Sequence, residues 1–324
     1  MKLVKKMAGA IALAAVFGLA GCNLGTSGFG TITIPGEWPP PDYRHGDRVV
    51  IGEGDLDMGE IRVGGQTQTS FLMGSPPGEL GRIDNGTVGT NEDQRWVTIE
   101  AGFWISETPV TDVQWYAVMG SLPPTPTNNH LIGQDAPGRR PVRTVSWFEV
   151  LVFANRLSER EGRTPAYMIN GSTDPAHWGA VPIWGGNLAN FDAWDAVQIV
   201  PGSDGFRLPT EAQWEFAARA GTTEAFSNGE QYWTNEASLD RIGWFDFNSG
   251  GARREVMQKE PNAWGLYDMH GNIGEWVWDR TGPNLPGRVY RGGWYFLPAS
   301  DARSARRNHL GPSFPVAGFR LVRP

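Results

Sequence analysis

The chain has 324 residues, 43 of them glycine and 15 tryptophan, with a single cysteine and a formal charge of −7. That length can bury a sizeable core, and the glycine and tryptophan content points to irregular backbone packed by large rings rather than by long regular elements. The acidic balance argues against nucleic acid as a partner, and one cysteine excludes a disulfide-stapled scaffold.

At the N-terminus, Lys2, Lys5 and Lys6 precede an apolar run from Met7 to Leu19 that is short for a membrane span, and Leu19-Ala20-Gly21-Cys22 closes it with small residues. Residues 1–21 therefore read as a signal peptide, and the L-A-G-C ending resembles a bacterial lipobox. Cys22 is then expected to carry a lipid that tethers an exported domain to a membrane of the cell envelope without crossing it, the outer membrane if the cell is Gram-negative, because Asn23 follows the cysteine. With Cys22 committed to lipid, the exported domain has no thiol, which excludes a cysteine nucleophile or a thiolate-bound metal. Residues 22–48 are rich in Gly, Thr and Pro and read as the anchor and a linker, with Thr31–Ile34 as an edge strand at most.

The domain is expected over 49–324. Strand-like alternation runs from about Val49 through Ile61 and Val63, and again from Thr67 to Met73, before Pro76-Pro77-Gly78 turns the chain into a polar loop over Glu79–Gln94. Trp96–Ile99 and Phe103–Ile105 are further short strands. Three helices carry the same start signal, a capping box at Thr111/Gln114, Ser146/Glu149 and Thr210/Gln213, and Gly120, Gly162 and Gly221 stand where left-handed C-terminal residues belong. On the second helix Trp147, Val150, Leu151, Ala154 and Leu157 share an inward face. On the third Trp214, Ala217 and Ala218 do so, leaving Glu211 and Arg219 more exposed.

Thr164–Gly205 reads as an elaborated loop with a strand at Ala166–Ile169, and Trp233–Asn248 as an irregular insertion. The last quarter returns to short strands: Glu275–Trp278, with Trp276 and Trp278 on one face, Val289–Phe296 interrupted by Gly292-Gly293, and Gly318–Val322. Few helices, many short strands and long ordered loops make an irregular α+β domain.

The densest stretch is Asn262–Asp279, NAWGLYDMHGNIGEWVWD. Together with Phe71–Ser75, Glu107–Thr111, Val145-Ser146-Trp147, Phe206–Glu215 (FRLPTEAQWE), Arg291-Gly292-Gly293-Trp294 and Gly318-Phe319-Arg320, it resembles the formylglycine-generating-enzyme, or sulfatase-modifying-factor, family. The motifs fall in the family order across nearly the whole domain, and the resemblance implies a C-type-lectin-like fold. It also exposes a departure. Family members that make formylglycine carry two copper-binding cysteines after the R-G-G segment, whereas Leu297 and Ala302 lie roughly at those places here. Neither can bind copper or exchange with a thiol, so no copper and no formylglycine generation are expected.

The resemblance further implies a structural calcium at Asn272, Ile273, Gly274 and Glu275; the alternative is that Asn272 supports a turn and Glu275 pairs with a buried arginine. The five histidines show no metal-binding spacing. Of the C-terminal arginines, Arg291, Arg303 and Arg320 read as fold-holding partners of Glu215, Asp268 or Glu275. Trp294, Tyr295, Arg306, Arg307 and Asn308 form the candidate ligand cleft, with Trp184 as a further stacking residue. The expected function is a lipid-anchored, non-catalytic module binding an extracytoplasmic peptide, glycan or protein; the alternative is a cysteine-independent oxidative or maturation enzyme of the same family.

Overall fold

The structure is a computed structural model that describes residues 48–51, 58–65, 68–83, 91–123, 138–229, 236–282, 285 and 287–324. The signal peptide over 1–21, Cys22, the linker through residue 47 and the strand expected at Thr31–Ile34 lie outside these residues.

Short strands and frequent glycines keep the sheets small. Strands β1 (Arg48–Ile51), β2 (Met58–Val63), β5 (Phe103–Ser106) and β14 (Val322–Arg323) form an antiparallel sheet in the order β1-β2-β5-β14, so the last strand of the chain closes beside some of the first. A hairpin of β3 (Thr69–Met73) and β4 (Arg95–Ile99) carries the loop with Glu79 and Glu92 at its end. Two-residue pairs join β6 (Tyr167–Met168) to β7 (Gln198–Ile199), and β8 (Gly243–Trp244) to β9 (His270–Gly271). The second four-stranded sheet places β10 (Glu275–Arg280) between β11 (Arg288–Arg291) and β13 (Gly318–Phe319), with β12 (Asn308–Leu310) outside β11. Strand β11 stops at Gly292-Gly293, and the reason is local: a Cβ on Gly293 would lie 2.6 Å from the Asp301 carbonyl, and its φ is +79°.

All three expected capping boxes are present. Thr111 caps α1 (Asp112–Met119), Ser146 caps α2 (Trp147–Arg160) and Thr210 caps α4 (Glu211–Arg219), each with the reciprocal Gln or Glu bond back to the cap amide. Gly120, Gly162 and Gly221 all take positive φ. Helix α3 (Phe191–Asp195) is a single turn within the elaborated loop. The segment read as an irregular insertion instead holds α5 (Glu236–Ile242), which leads directly into β8.

Helix α2 is the central element, and its burial exceeds its expected stripe: Phe148, Val152 and Phe153 are buried along with Trp147, Val150, Leu151, Ala154 and Leu157. Rings from both sides close on it, including Trp115, Trp194, Trp276 and Phe319. A second cluster packs α4 through Trp214, Ala217 and Ala218 against Ile61, Ile105, Met269, Val277 and Val322. The smaller third cluster holds Phe226, Leu239, Phe245, Ala299 and Ala302.

Buried arginine–carboxylate pairs tie these parts together. Arg320 meets Glu275 through two bonds of 2.7 and 2.9 Å, and Glu275 also accepts the Trp214 indole N–H at 2.8 Å. Arg291 meets Glu215 and Glu211, as expected for the first of these. Arg303 instead reaches Glu92 at 2.8 Å, with Glu79 beside it, so its partners come from the hairpin loop and not from Asp268 or Glu275. Glu211 and Arg219, expected to be more exposed, are buried: Glu211 accepts from Arg291 and Arg307, while Arg219 pairs with Glu215 at 2.8 Å and donates to the Gly74 carbonyl. Charged residues on a helix turn inward when distant segments supply every partner.

Candidate functional site

The dense stretch Asn262–Asp279 spends its polar atoms on the scaffold. Asn262 accepts from the amides of Trp264 and Leu266 and donates to the Ala217 carbonyl. Asp268 accepts from the Met257 amide and from Asn272, and complete burial pushes its carboxyl up to about 6. His270 is fully buried, which holds its imidazole down to about 4. Because the Ala302 carbonyl can only accept, His270 Nδ1 donates to it at 2.7 Å, and Nε2 accepts from the Ser227 hydroxyl at 2.9 Å.

The four residues expected at a calcium ion are used in the same way. Asn272, at φ +60°, accepts the Arg254 amide on Oδ1 and donates through Nδ2 to the Arg254 carbonyl and to Asp268. Both Glu275 oxygens are taken by Arg320, and the Gly274 carbonyl accepts the Gly318 amide. The Ile273 amide donates to the Gly271 carbonyl at 2.8 Å; as arranged, the Asn272 and Glu275 side chains and the Gly274 carbonyl hold a turn and a buried arginine and do not fit a calcium ion. Among the described residues there is no group of three or more His, Cys, Asp or Glu side chains placed to hold a metal.

The segment after Gly293 divides the candidate cleft. Trp294 and Tyr295 are each only 8% exposed. Trp294 lies over Gly274, whose missing Cβ would sit 2.7 Å from the indole, and its ring meets that of Tyr290 edge to face at 5.9 Å. Arg306 pairs with Asp301 at 2.8 Å and approaches Glu92, and Arg307 pairs with Glu211 at 2.7 Å. Both guanidinium groups are thus matched within the fold. Asn308 lies on β12 opposite Tyr290, whose ring meets Trp294 edge to face. Of the two positions expected roughly where the family cysteines lie, Ala302 is buried in the third apolar cluster and Leu297 is half-buried, its carbonyl accepting the Asp246 amide at 3.1 Å.

The exposed side chains here are ones that sequence reasoning missed. Phe296, 51% exposed, packs on Tyr295 edge to face at 5.0 Å and on Trp294 at 5.4 Å. Phe247, 73% exposed, stacks on Phe245 in the turn that the Asp246–Leu297 bond ties to this segment. These two exposed rings, on segments joined by the Asp246–Leu297 bond, are called the ledge below. Arg143 is half-buried in the loop before α2, and burial lowers its pKa from the ordinary arginine value. Elsewhere, Trp184 is 58% exposed and stacked on Phe314 at 4.3 Å, away from the other candidates in the elaborated loop.

No helix among the described residues is long and apolar enough to cross a membrane. The sulfatase-modifying factor enzyme 1-like domain matches residues 41–324. Chaperone protein LppX from Paenibacillus barcinonensis is 31% identical over 248 residues, spanning 68% of this chain and 80% of that protein. A formylglycine-generating enzyme of Mycobacterium tuberculosis is 39% identical over a shorter stretch of 80 residues, 22% of this chain and 27% of the enzyme. Among solved structures, Treponema denticola variable protein 1 superposes with a TM-score of 0.64 at 29% identity, covering 87% of this chain and 98% of the other. PvdO from Pseudomonas aeruginosa superposes with a TM-score of 0.62 at 23% identity, over 87% of this chain and 99% of PvdO, a likeness of fold alone.

Proposed function

Because the chain belongs to the sulfatase-modifying factor enzyme 1-like family, we propose that it is a polypeptide-binding member that has given up the family's cysteine chemistry, exported and held at the cell envelope by a lipid on Cys22. The observation that carries this reading is the exposure of Phe296, packed on Tyr295, and of Phe247, on segments joined by the Asp246–Leu297 bond, in the stretch where Leu297 and Ala302 stand roughly at the places expected for the cysteines. Thiol–disulfide exchange and thiolate–copper binding need sulfur, and Cys22, the one cysteine in the chain, lies far from this segment in sequence. What the segment offers instead is exposed apolar area on a rigid base. Covering a phenyl ring removes it from water at about 25 cal/mol per Å², so two rings supply a few kcal/mol toward holding an apolar side chain. The name of the LppX relative, a chaperone protein, agrees with a role in holding other polypeptides.

The test is equilibrium binding of a fluorescent unfolded polypeptide, reduced and carboxymethylated α-lactalbumin, to the full chain in detergent. Wild-type protein should bind, and the Phe247→Ala, Phe296→Ala double variant should bind at least about tenfold more weakly at an unchanged melting temperature. Equal binding by the two proteins would show that the ledge is not the site.

A further inference from the structure

Outside the ledge, the most exposed aromatic ring among the described residues is Trp96 on β4, at 73%. Trp184 is backed by Phe314, but among the described residues no ring stacks on Trp96. The register of the hairpin settles which face carries it: β3 and β4 set Ser70 opposite Thr98, Phe71 opposite Val97 and Leu72 opposite Trp96. Phe71 packs on Phe216 of α4 at 5.2 Å, so alternation sends Ser70, Thr98, Leu72 and Trp96 to the other face. There the Ser70 and Thr98 hydroxyls bond to each other at 3.0 Å, and Gln68 donates to Glu100 at 2.9 Å at the next pair of the same face. The result is a flat strip, apolar at Leu72 and Trp96 and hydroxyl- and amide-bearing behind them. The start of the domain lies on the same side. Arg48 of β1 pairs with Ile61, and Ile51 with Met58, so the chain preceding Arg48 leaves β1 at the end of β2 that runs into Gly64. The ladder of β2 and β5 reaches Val63 and Phe103 there, the Gly102 amide bonds the Gly65 carbonyl at 2.9 Å, and the hairpin begins at Thr69 and Ile99. The hairpin therefore continues the sheet in the direction in which a tether to Cys22 departs.

We propose that the Leu72–Trp96 face of this hairpin rests on the lipid bilayer that holds the chain, with the indole at headgroup level. This rests on the lipid at Cys22 in the reading above and not on polypeptide binding. An indole joins a large apolar area to one N–H donor, which suits the zone where water gives way to hydrocarbon. The Ser70, Thr98 and Gln68 side chains along the same face meet headgroups without entering the acyl chains, and Arg95, exposed beside Trp96, supplies a cation for lipid phosphate. A tether through a Gly- and Pro-rich linker keeps the domain near the membrane but leaves its orientation open; a docked face fixes it.

The experiment places the full chain, carrying one added cysteine labelled with nitrobenzoxadiazole, in phosphatidylethanolamine–phosphatidylglycerol vesicles with and without doxyl-labelled lipid. Cys22 is the one native cysteine, so Ser70→Cys or Thr98→Cys labels the face and Gln198→Cys labels the elaborated loop. Doxyl lipid should lower the emission of the Ser70→Cys and Thr98→Cys labels at least about twofold and leave the Gln198→Cys label unchanged. Adding Trp96→Ala should restore most of that emission at an unchanged melting temperature. Equal quenching at all three sites, or none at Ser70→Cys and Thr98→Cys, would overturn the membrane contact and leave the tether standing. A blue-shifted face label that doxyl lipid does not quench would put a second protein on the face in place of the bilayer. The intact mass reads the tether separately: a Cys22 without a diacylglyceryl group would overturn the lipid anchor, and the membrane contact with it.

Discussion

Two regions of this molecule differ in how far their side chains are matched within the fold. In the interior, Arg291, Arg303, Arg320 and Arg323 are almost without exposure, and each is matched to a glutamate from a distant segment: Glu215, Glu92, Glu275 and Glu60. Burial would raise the Glu215 carboxyl, yet Arg291, Arg219 and the Gly74 amide outweigh it and hold the group below the ordinary carboxylate range. At the rim, Phe296 and Phe247 face water on segments joined by the Asp246–Leu297 bond. The first arrangement is closed, with charge matched internally, and it fixes how loops without long strands meet. The second is open, and openness is what a binding surface requires.

The contrast breaks most visibly in the interior. Glu275→Gln leaves Arg320 buried without its counter-charge and should cost about 3–5 kcal/mol of unfolding free energy by urea denaturation; a loss below about 1 kcal/mol would mean that the pair does not hold the fold. Trp294→Ala comes next, at about 3 kcal/mol, since the ring is packed on Gly274 and Tyr290. A smaller loss with a large loss of binding would move Trp294 from base to ledge.

Two buried groups of the dense stretch then give opposite responses to acid. His270 has a folded pKa of about 4 against an ordinary 6.5, so the folded state binds the proton less well; the stability it contributes is full above about 6.5 and is lost as pH falls toward 4. Asp268 has a folded pKa of about 6 against 3.8, so the folded state binds the proton more tightly, and stability is gained as pH falls from about 6 toward 3.8. Each is worth up to roughly 3 kcal/mol, and in the wild type they oppose one another. Between pH 7 and 4.5, the melting temperature of His270→Gln should fall less than that of the wild type, and that of Asp268→Asn should fall more. Parallel slopes in the three proteins would contradict these environments. The smallest expected effect is at the rim, where Phe296→Ala should change stability by less than about 0.5 kcal/mol while weakening binding.

The α+β architecture with few helices and short strands was legible in the sequence, and the caps show why. Thr111 with Gln114, Ser146 with Glu149 and Thr210 with Gln213 each complete their bonds within four residues, so the signal is local. Helix α5, Glu236–Ile242, is short and was hidden within what read as an irregular insertion. Arg303 was legible as a fold-holding residue but not its partner, since Glu92 lies 211 positions away in a loop with no periodic pattern. Glu211 and Arg219 look solvent-facing on a helical wheel because a wheel cannot show Arg291, Arg307 or the Gly74 carbonyl.

The candidate site was legible in part. Family motifs led to Trp294 and Tyr295, but their burial depends on the close approach of Gly274 and on Tyr290, neither of which is adjacent in sequence. Arg306 and Arg307 read as free cations until Asp301 and Glu211 are placed beside them. Phe247 carries no local signature, and only the fold brings its segment beside Leu297.

Binding without chemistry is the central claim, and one sample can test it. The full chain in detergent, loaded with copper and aerated, is mixed with a labelled polypeptide containing an apolar segment and a sulfatase-type cysteine motif; anisotropy reports binding and mass spectrometry reports the cysteine. The expected result is saturable binding, lost in the Phe247→Ala, Phe296→Ala variant, with the cysteine unchanged. Conversion of that cysteine to an aldehyde by the wild-type chain would contradict it.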